Sequence, residues 1–396
     1  MMRRYRTYLI LTMFLLPGCL SAQALDISGL SDQTQLSILT AGPAEPLYTI
    51  FGHTAIRLKD PGQEIDIVYN YGTFDFKSDN FYLKFARGNL HYFLSKSRFE
   101  AFIRENRQLD RYVGEQVLNL SPAQIRHVAR QLEKELLPEN RYYRYEFFAN
   151  NCVTKVRDLL GKQDLLGSCQ LDKPSPQSNT YRQLLKPYLA HRPWIRLGIN
   201  LTLGAPADIP ANDWQRQFLP DPFSRSLAIA DLSLLNQPLV SSNQTIVEGA
   251  SKTDVTGWLT PGLVFWTLFL AVAGTTLYDL KNAKFRLWID RLLFGFIGLF
   301  GAILMFLAIG SLHEPLHYNW NLLWAMPTHL IVAAGVNRLH VMAWFKYYLW
   351  AALIIDSALM ASWFLIPQQL PEAVFPLILT LMVRLCYGIF TSHDRP

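Results

Sequence analysis

The chain has 396 residues, half of them hydrophobic and only 17% charged, with a mean hydropathy of +0.10. That balance excludes a disordered chain, which is poor in apolar side chains. The net charge of +6 divides into three Arg and no acid over residues 1–24, 26 basic against 25 acidic residues over 25–257, and eight against six over 258–396. No region carries the Lys/Arg stripe of a nucleic-acid surface.

The N-terminus starts basic (Arg3, Arg4, Arg6), continues through the short apolar run Leu9 to Leu16 and ends in Ala22-Gln23-Ala24. These are the parts of a secretory signal peptide cleaved after Ala24. Leu16-Pro17-Gly18-Cys19 also has the form of a lipobox, which would make a lipidated Cys19 the mature N-terminus, and retention as an anchor is a third reading. All three export residues 25–257.

In the exported segment, 36–41, 53–59 and 65–71 read as strands, and Asp60-Pro61-Gly62 joins the last two into a hairpin. Ser121-Pro122 opens a helix to about Leu137, with Ile125, Val128, Ala129, Leu132 and Leu136 on one face. Tyr142 to Phe148 reads as extended. Cys152, Val153, Val156, Leu159 and Leu160 then follow the 3.6 period, which sets Cys152 at the start of a helix. Residues 161–257 are rich in Pro and turn residues and read as an irregular extension toward a membrane.

Of the four cysteines, Cys19 falls in the signal peptide and Cys386 in an apolar stretch, leaving Cys152 and Cys169 in an oxidising compartment. A disulfide between them and an inert buried thiol are the plain readings. A thiol at a helix N-terminus is also acidified by unpaired N–H groups and the helix dipole, and the same groups can hold an acyl oxyanion. His53, at the head of the hairpin after Gly52, is the candidate base. A turn centred between Pro61 and Gly62 sets position 53 opposite Asn70, and a slip of one residue would substitute Tyr71. Asn151, Tyr71 and Tyr48 are the oxyanion or positioning candidates, while His91 and His127 read as satisfied core or surface residues.

After Trp258 come five apolar stretches, at about 259–278, 291–311, 322–336, 347–366 and 374–391, each near the length of a membrane helix. Lys281, Lys284 and Arg286 in the first loop and Arg338 and Lys346 in the third mark the cytoplasmic side. Loops 312–321 and 367–373 hold no Lys or Arg and face outward, which places residues 25–257 in the periplasm. His329, Asp356 and Arg384 lie within the stretches and read as helix-packing contacts. In the outward loop, His317, Asn319 and Asn321, with His313, are candidates for lipid headgroups. His313 and His317 have Pro315 between them and no third ligand, so a metal site is not expected, and no cofactor is called for.

Three motifs then become recognisable: Phe51-Gly52-His53-Thr54-Ala55-Ile56-Arg57-Leu58, Tyr69-Asn70-Tyr71-Gly72-Thr73-Phe74-Asp75-Phe76, and Phe147-Phe148-Ala149-Asn150-Asn151-Cys152-Val153-Thr154-Lys155-Val156-Arg157-Asp158. In this order, and with Asn319-Trp320-Asn321-Leu322-Leu323-Trp324 downstream, the chain resembles the Lnb-type bacterial lipoprotein N-acyltransferases. Asn150 stands where Asp is expected before Asn-Cys in much of that family. The resemblance implies an α+β papain-like thiol domain in permuted, NlpC-type order over 25–160, then the extension at 161–257 and an all-α transmembrane domain of about five helices at 258–396. It implies Cys152 as nucleophile and His53 as base, a membrane glycerolipid as acyl donor, and lipoproteins carrying a diacylglyceryl-Cys as acceptors. The expected setting is a bacterial inner membrane with the C-terminus in the cytoplasm. A cysteine peptidase or amidase acting on cell-wall peptides would need no bundle of helices. A membrane scaffold stapled by a Cys152–Cys169 disulfide is the non-enzymatic alternative.

Overall fold

A computed structural model of the chain describes residues 25–75, 79–162, 179–232, 237–249, 257–284, 286–335 and 343–391. The expected signal peptide with Cys19, and also Cys169 and Arg338, lie outside the described residues.

The exported part is built on an antiparallel sheet of β1 (Gln35–Ala41), β2 (His53–Asp60), β3 (Ile65–Thr73), β4 (His91–Arg98), β5 (Val113–Leu118), β6 (Tyr142–Arg144) and β9 (Val240–Val247), in the order β6-β4-β3-β2-β1-β5-β9. β7 (Asp231–Leu232) and β8 (Gln237–Pro238) form a separate small pair. Helices α1 (Phe81–Ala86), α2 (Phe99–Gln108), α3 (Pro122–Leu136) and α4 (Cys152–Lys162) connect the strands. The main core lies where Leu36, Ile38, Ile56, Leu58, Tyr69 and Tyr71 of the sheet meet α3 and α4. On the opposite face, Leu39, Ala55 and Val68 pack with Phe102 and Ile103 of α2. The central strands β1, β2 and β5 thus bury both their alternating sets, as strands covered on two sides must.

α3 starts where the sequence predicts, with Ser121 accepting from Gln124 N in a capping box and Pro122 in the first turn. The hairpin differs from expectation. Asp60 pairs with Ile65, so the turn has four residues, with a 3-10 turn at Pro61–Gln63 and Glu64 at φ 56°. The carboxylate of Asp60 holds it by accepting from Gly62 N, Ser31 N, Ser31 Oγ and Thr34 Oγ1. Pairing therefore runs two residues further along β3 than a turn centred between Pro61 and Gly62 gives. A shift of two keeps each side chain on its face.

The segment expected to be irregular has regular structure within its described residues, 179–232 and 237–249. It supplies α5 (Tyr181–Leu185), α6 (Pro193–Thr202), α7 (Asp213–Arg216), α8 (Pro220–Ile229) and the edge strand β9. Its prolines mark helix starts: Pro193 and Pro220 occupy the first turns of α6 and α8, where a missing N–H costs nothing.

The C-terminal part is helical: α9 (Pro261–Lys281), α10 (Leu287–Gly310), α11 (His329–Gly335), α12 (Ala343–Ala361) and α13 (Phe375–Thr391). Among the described residues three helical segments, Pro261–Lys281, Leu287–Gly310 and Glu372–Thr391, are long and apolar enough to cross a membrane. The third apolar stretch opens as a 3-10 turn at Trp320–Leu323 and has seven described α-helical residues. The three ionisable residues expected within the apolar stretches, His329, Asp356 and Arg384, are packed inward. Arg384 makes a bidentate pair with Asp290 and donates to Thr276 Oγ1, joining α13, α10 and α9. His329 bonds the Tyr348 hydroxyl and the Trp324 carbonyl. Asp356 is buried with no hydrogen-bond partner among the described residues.

Candidate active site

Two local devices bring the chemistry together. Gly52 enters β2 at φ 82°, and a Cβ there would lie 2.8 Å from the Ala41 carbonyl, on the residue that pairs with His53. Only glycine lets the chain turn so close to β1 before presenting the histidine. At α4, Asn151 is the N-cap: its Oδ1 accepts from Val153 N at 2.8 Å and Thr154 N at 2.9 Å, while its own N–H donates to Thr154 Oγ1. Its Nδ2 donates to the carbonyls of Phe147 and Phe218. Asn151 therefore fixes Cys152 as the first helical residue and has no amide hydrogen left for an oxyanion. As an oxyanion donor the Asn151 side chain is excluded, and as a positioning group it is fully engaged.

His53 Nε2 donates to Asn70 Oδ1 at 3.3 Å, and Asn70 Nδ2 reaches Ser97 Oγ at 3.5 Å. With the proton on Nε2, Nδ1 keeps the lone pair a base needs. Cys152 is a half-buried free thiol, and the backbone N–H groups of Thr54, the residue after His53, and of Val153 lie close enough to its sulfur to favour the thiolate. Gly72, at φ 89°, opens the other side: a Cβ there would sit 3.4 Å from Cys152 Cβ. The His53 imidazole, the Asn70 amide and the Cys152 thiol thus lie where the ends of β2 and β3 face the N-terminus of α4.

Burial dominates the electrostatics. It pushes the His53 imidazole down to about 4, helped by the nearby Arg111 cation and opposed by the Asn70 bond. It pushes the Cys152 thiol up, while the N–H groups of Thr54 and Val153 and the charge of Arg111 pull the other way. The helix N-terminus acts in the expected acidifying direction, but burial outweighs it. Both groups rest uncharged near neutral pH.

Arg111 has no counterpart in the sequence-based expectations. Its guanidinium is buried, with Nε donating to Gly42 O at 2.8 Å and Nη2 to Ala41 O at 3.4 Å. A lone Arg after a helix carries no periodicity or motif to find it by. The Thr54 N–H was equally hidden, because a backbone donor is identified only by the fold.

The remaining candidates lie elsewhere. Tyr71 is buried and donates to Glu135 Oε2 at 2.8 Å, away from His53. Tyr48 sits exposed on the 3-10 turn Leu47–Thr49, close enough to Arg111 to interact with its charge. Asn319 and Asn321 are not exposed to headgroups. Asn319 Nδ2 donates to the carbonyls of Leu201 and Thr202, and Asn321 Nδ2 to Leu201 O. These carbonyls end α6 and lack intrahelical partners, so the amides cap them. His317 is turned onto the Ser311 carbonyl and His313 onto that of Phe85.

No curated protein and no solved structure matches the chain. Two family models do match. The Lnb N-terminal periplasmic domain covers residues 29–187 and the Lnb transmembrane domain residues 252–395. Together they span about three quarters of the sequence, in the same order as the sheet-bearing part and the helical part. With a periplasmic domain followed by a transmembrane one, the chain belongs to the Lnb family.

Proposed function

We propose that the protein is a lipoprotein N-acyltransferase working through a thioester at Cys152. The observation that carries this reading is the His53–Asn70 pair set beside a free thiol at a helix N-terminus, in a chain with a transmembrane domain. His53 Nδ1 takes the thiol proton as sulfur attacks an ester carbonyl of a membrane glycerolipid. The N–H group of Thr54, close to the sulfur, is the candidate for holding the oxyanion, while that of Val153 is already given to Asn151 Oδ1. Collapse expels the glycerol alkoxide, which receives the proton from the imidazolium and leaves as a lysolipid. The α-amine of a diacylglyceryl-Cys then attacks the thioester and His53 accepts its proton. Cys152 departs as thiolate and is reprotonated, releasing the N-acylated lipoprotein. A resting neutral pair suits such coupled proton transfer, and two lipid-anchored reactants gain their encounter from a shared bilayer.

In this reading residues 1–24 are a signal peptide, the thiol domain is papain-like in permuted order, and five helices cross the inner membrane. An odd number of crossings leaves the C-terminus in the cytoplasm. Mass spectrometry of lipoprotein N-terminal peptides from cells lacking other N-acyltransferases tests the proposal. The intact protein restores the N-acyl group, whereas Cys152→Ser and His53→Ala do not. Continued N-acylation with Cys152→Ser overturns the mechanism.

A further inference from the structure

Helix α1 is short, and its apolar side chains are outside the core. Tyr82 is 82% exposed, Leu83 50% and Phe85 49%. From Asn80 to Arg87 it carries two cations, Lys84 and Arg87, and no acid. Such a helix covers no core of its own domain, and its exposure needs a partner.

Its position identifies that partner. α10, one of the apolar spans, ends at Gly310. Two residues later Leu312 N donates to Arg87 O at 2.9 Å, and His313 Nε2 donates to Phe85 O at 3.0 Å. The His313 ring also meets Phe85 edge-on at 6.2 Å. Gly88, at φ 66°, closes the contact, because a Cβ there would approach His313 N to 3.1 Å. Three residues of chain span at most ~10 Å, and the headgroup layer on each side of the hydrocarbon is about 5–8 Å deep. The C-terminal end of α1 is therefore held at the height of the lipid headgroups. Exposed Trp258, just before α9, and exposed Tyr318, in the same outward loop, mark a belt at the periplasmic ends of the spans.

We propose that α1 is an interfacial foot: Tyr82, Leu83 and Phe85 enter the outer leaflet of the membrane, with Lys84 and Arg87 set against lipid phosphates. Aromatic rings with flanking cations are the side chains that favour this layer. The foot also connects to the candidate site. Phe81 stacks on Phe74 at 5.8 Å, Phe74 meets Tyr92 at 5.1 Å, and Tyr92 stacks on Tyr145 at 4.2 Å. Tyr92 and Tyr145 both lie within electrostatic reach of Cys152. An apolar wall thus runs from the membrane surface toward the thiol. The proposal rests on the transmembrane domain and the geometry of α1, and is independent of the acyl-transfer reading.

A nitroxide depth measurement tests it. The full-length protein, with Cys19, Cys152, Cys169 and Cys386 replaced by Ser, carries a spin label at Tyr82→Cys or Leu83→Cys. The control label is at Gln63→Cys, in the β2–β3 turn at the other end of β3 from α1. In vesicles of phosphatidylethanolamine and phosphatidylglycerol, labels on α1 show a several-fold higher ratio of oxygen to nickel-complex collisions than the Gln63 label. An equal ratio at the two sites overturns the proposal. So does a label on α1 that neither reagent reaches, which would report a protein partner instead of lipid.

Discussion

The two groups proposed to react at the candidate site, His53 and Cys152, are perturbed in ways that a pH profile can read. The His53 imidazole is pushed down to about 4 from its ordinary 6.5, mainly by burial. Thioester formation should therefore hold its rate through pH 6.5 and 5 and lose it only as pH approaches about 4, measured by rapid acyl labelling of Cys152. An acid limb near 6.5 would contradict a buried neutral base. The same shift sets a stability slope: between pH 4 and 6.5 the unfolded state binds the proton that the folded state refuses, so stability rises with pH across that window and falls toward acid. Arg111 is a second lever. Arg111→Met removes a positive neighbour from both groups, so the acid limb moves up toward 6.5 and the apparent thiol pKa rises further. A purely structural loss would lower the rate without moving either limb. Gly52→Ala tests positioning, since it combines a positive φ with a 2.8 Å approach to Ala41 O. It should cost about 1–3 kcal/mol in thermal or denaturant unfolding. Cys152 and His53 stood out in the sequence because a helix start and a strand start each leave local signals. Arg111 leaves none, and Asn70 was reached through a pairing two residues out of register that nevertheless kept the correct face.

At the level of elements, the signals that misled are the ones whose meaning depends on context. Pro193 and Pro220 read as breakers but open α6 and α8. β9 runs along the sheet edge with most of its residues exposed, so no hydrophobic alternation announces it. What binds the strands across the α2 face is a charge cluster. Arg57 forks onto Asp66 with two bonds of 2.7 Å, donates to both oxygens of Glu115 at 3.0 Å and lies 3.4 Å over the Phe99 ring. Glu115 also accepts from Ser37 and from Gln244 of β9. The cluster therefore links β2, β3, β1, β5 and β9. Arg57→Leu strands a buried Glu115 carboxylate and should lose about 3–5 kcal/mol in denaturant unfolding of the detergent-solubilised protein. Arg57→Leu with Glu115→Leu should recover part of that loss, because the only carboxylate then left without Arg57 is Asp66, which is part exposed. Equal loss in both variants would mean that packing on Phe99, not charge, holds the strands.

For the whole molecule, the decisive contact is between the periplasmic domain and the outer ends of the membrane helices. α6 packs Leu197 and Leu201 into the core of the bundle. The carbonyls at its C-terminal end are taken by Asn319 and Asn321, while Gln368 Nε2 donates to Leu203 O at 3.1 Å. Arg182 braces the same turn from the periplasmic side, donating to Leu203 O and Gly204 O and pairing with Asp208. Both outward loops, the two without Lys or Arg, thus grip one helix end. Composition marked the apolar C-terminal region but not this junction, because an Asn that caps a distant helix looks like any loop Asn. Asn319→Leu with Asn321→Leu leaves buried carbonyls unpaired, at about 1–3 kcal/mol each. That cost falls on the docking and not on the His53–Asn70–Cys152 geometry. The expected result is a split: a small water-soluble alkylating reagent modifies Cys152 at the parental rate, while acylation of Cys152 from vesicle phospholipid falls at least tenfold, since about 1.4 kcal/mol lost from docking already corresponds to that factor. If alkylation and acylation fell together, the amides would be supporting the fold of the thiol domain. If neither fell, the grip on α6 would not be what holds the thiol at the membrane.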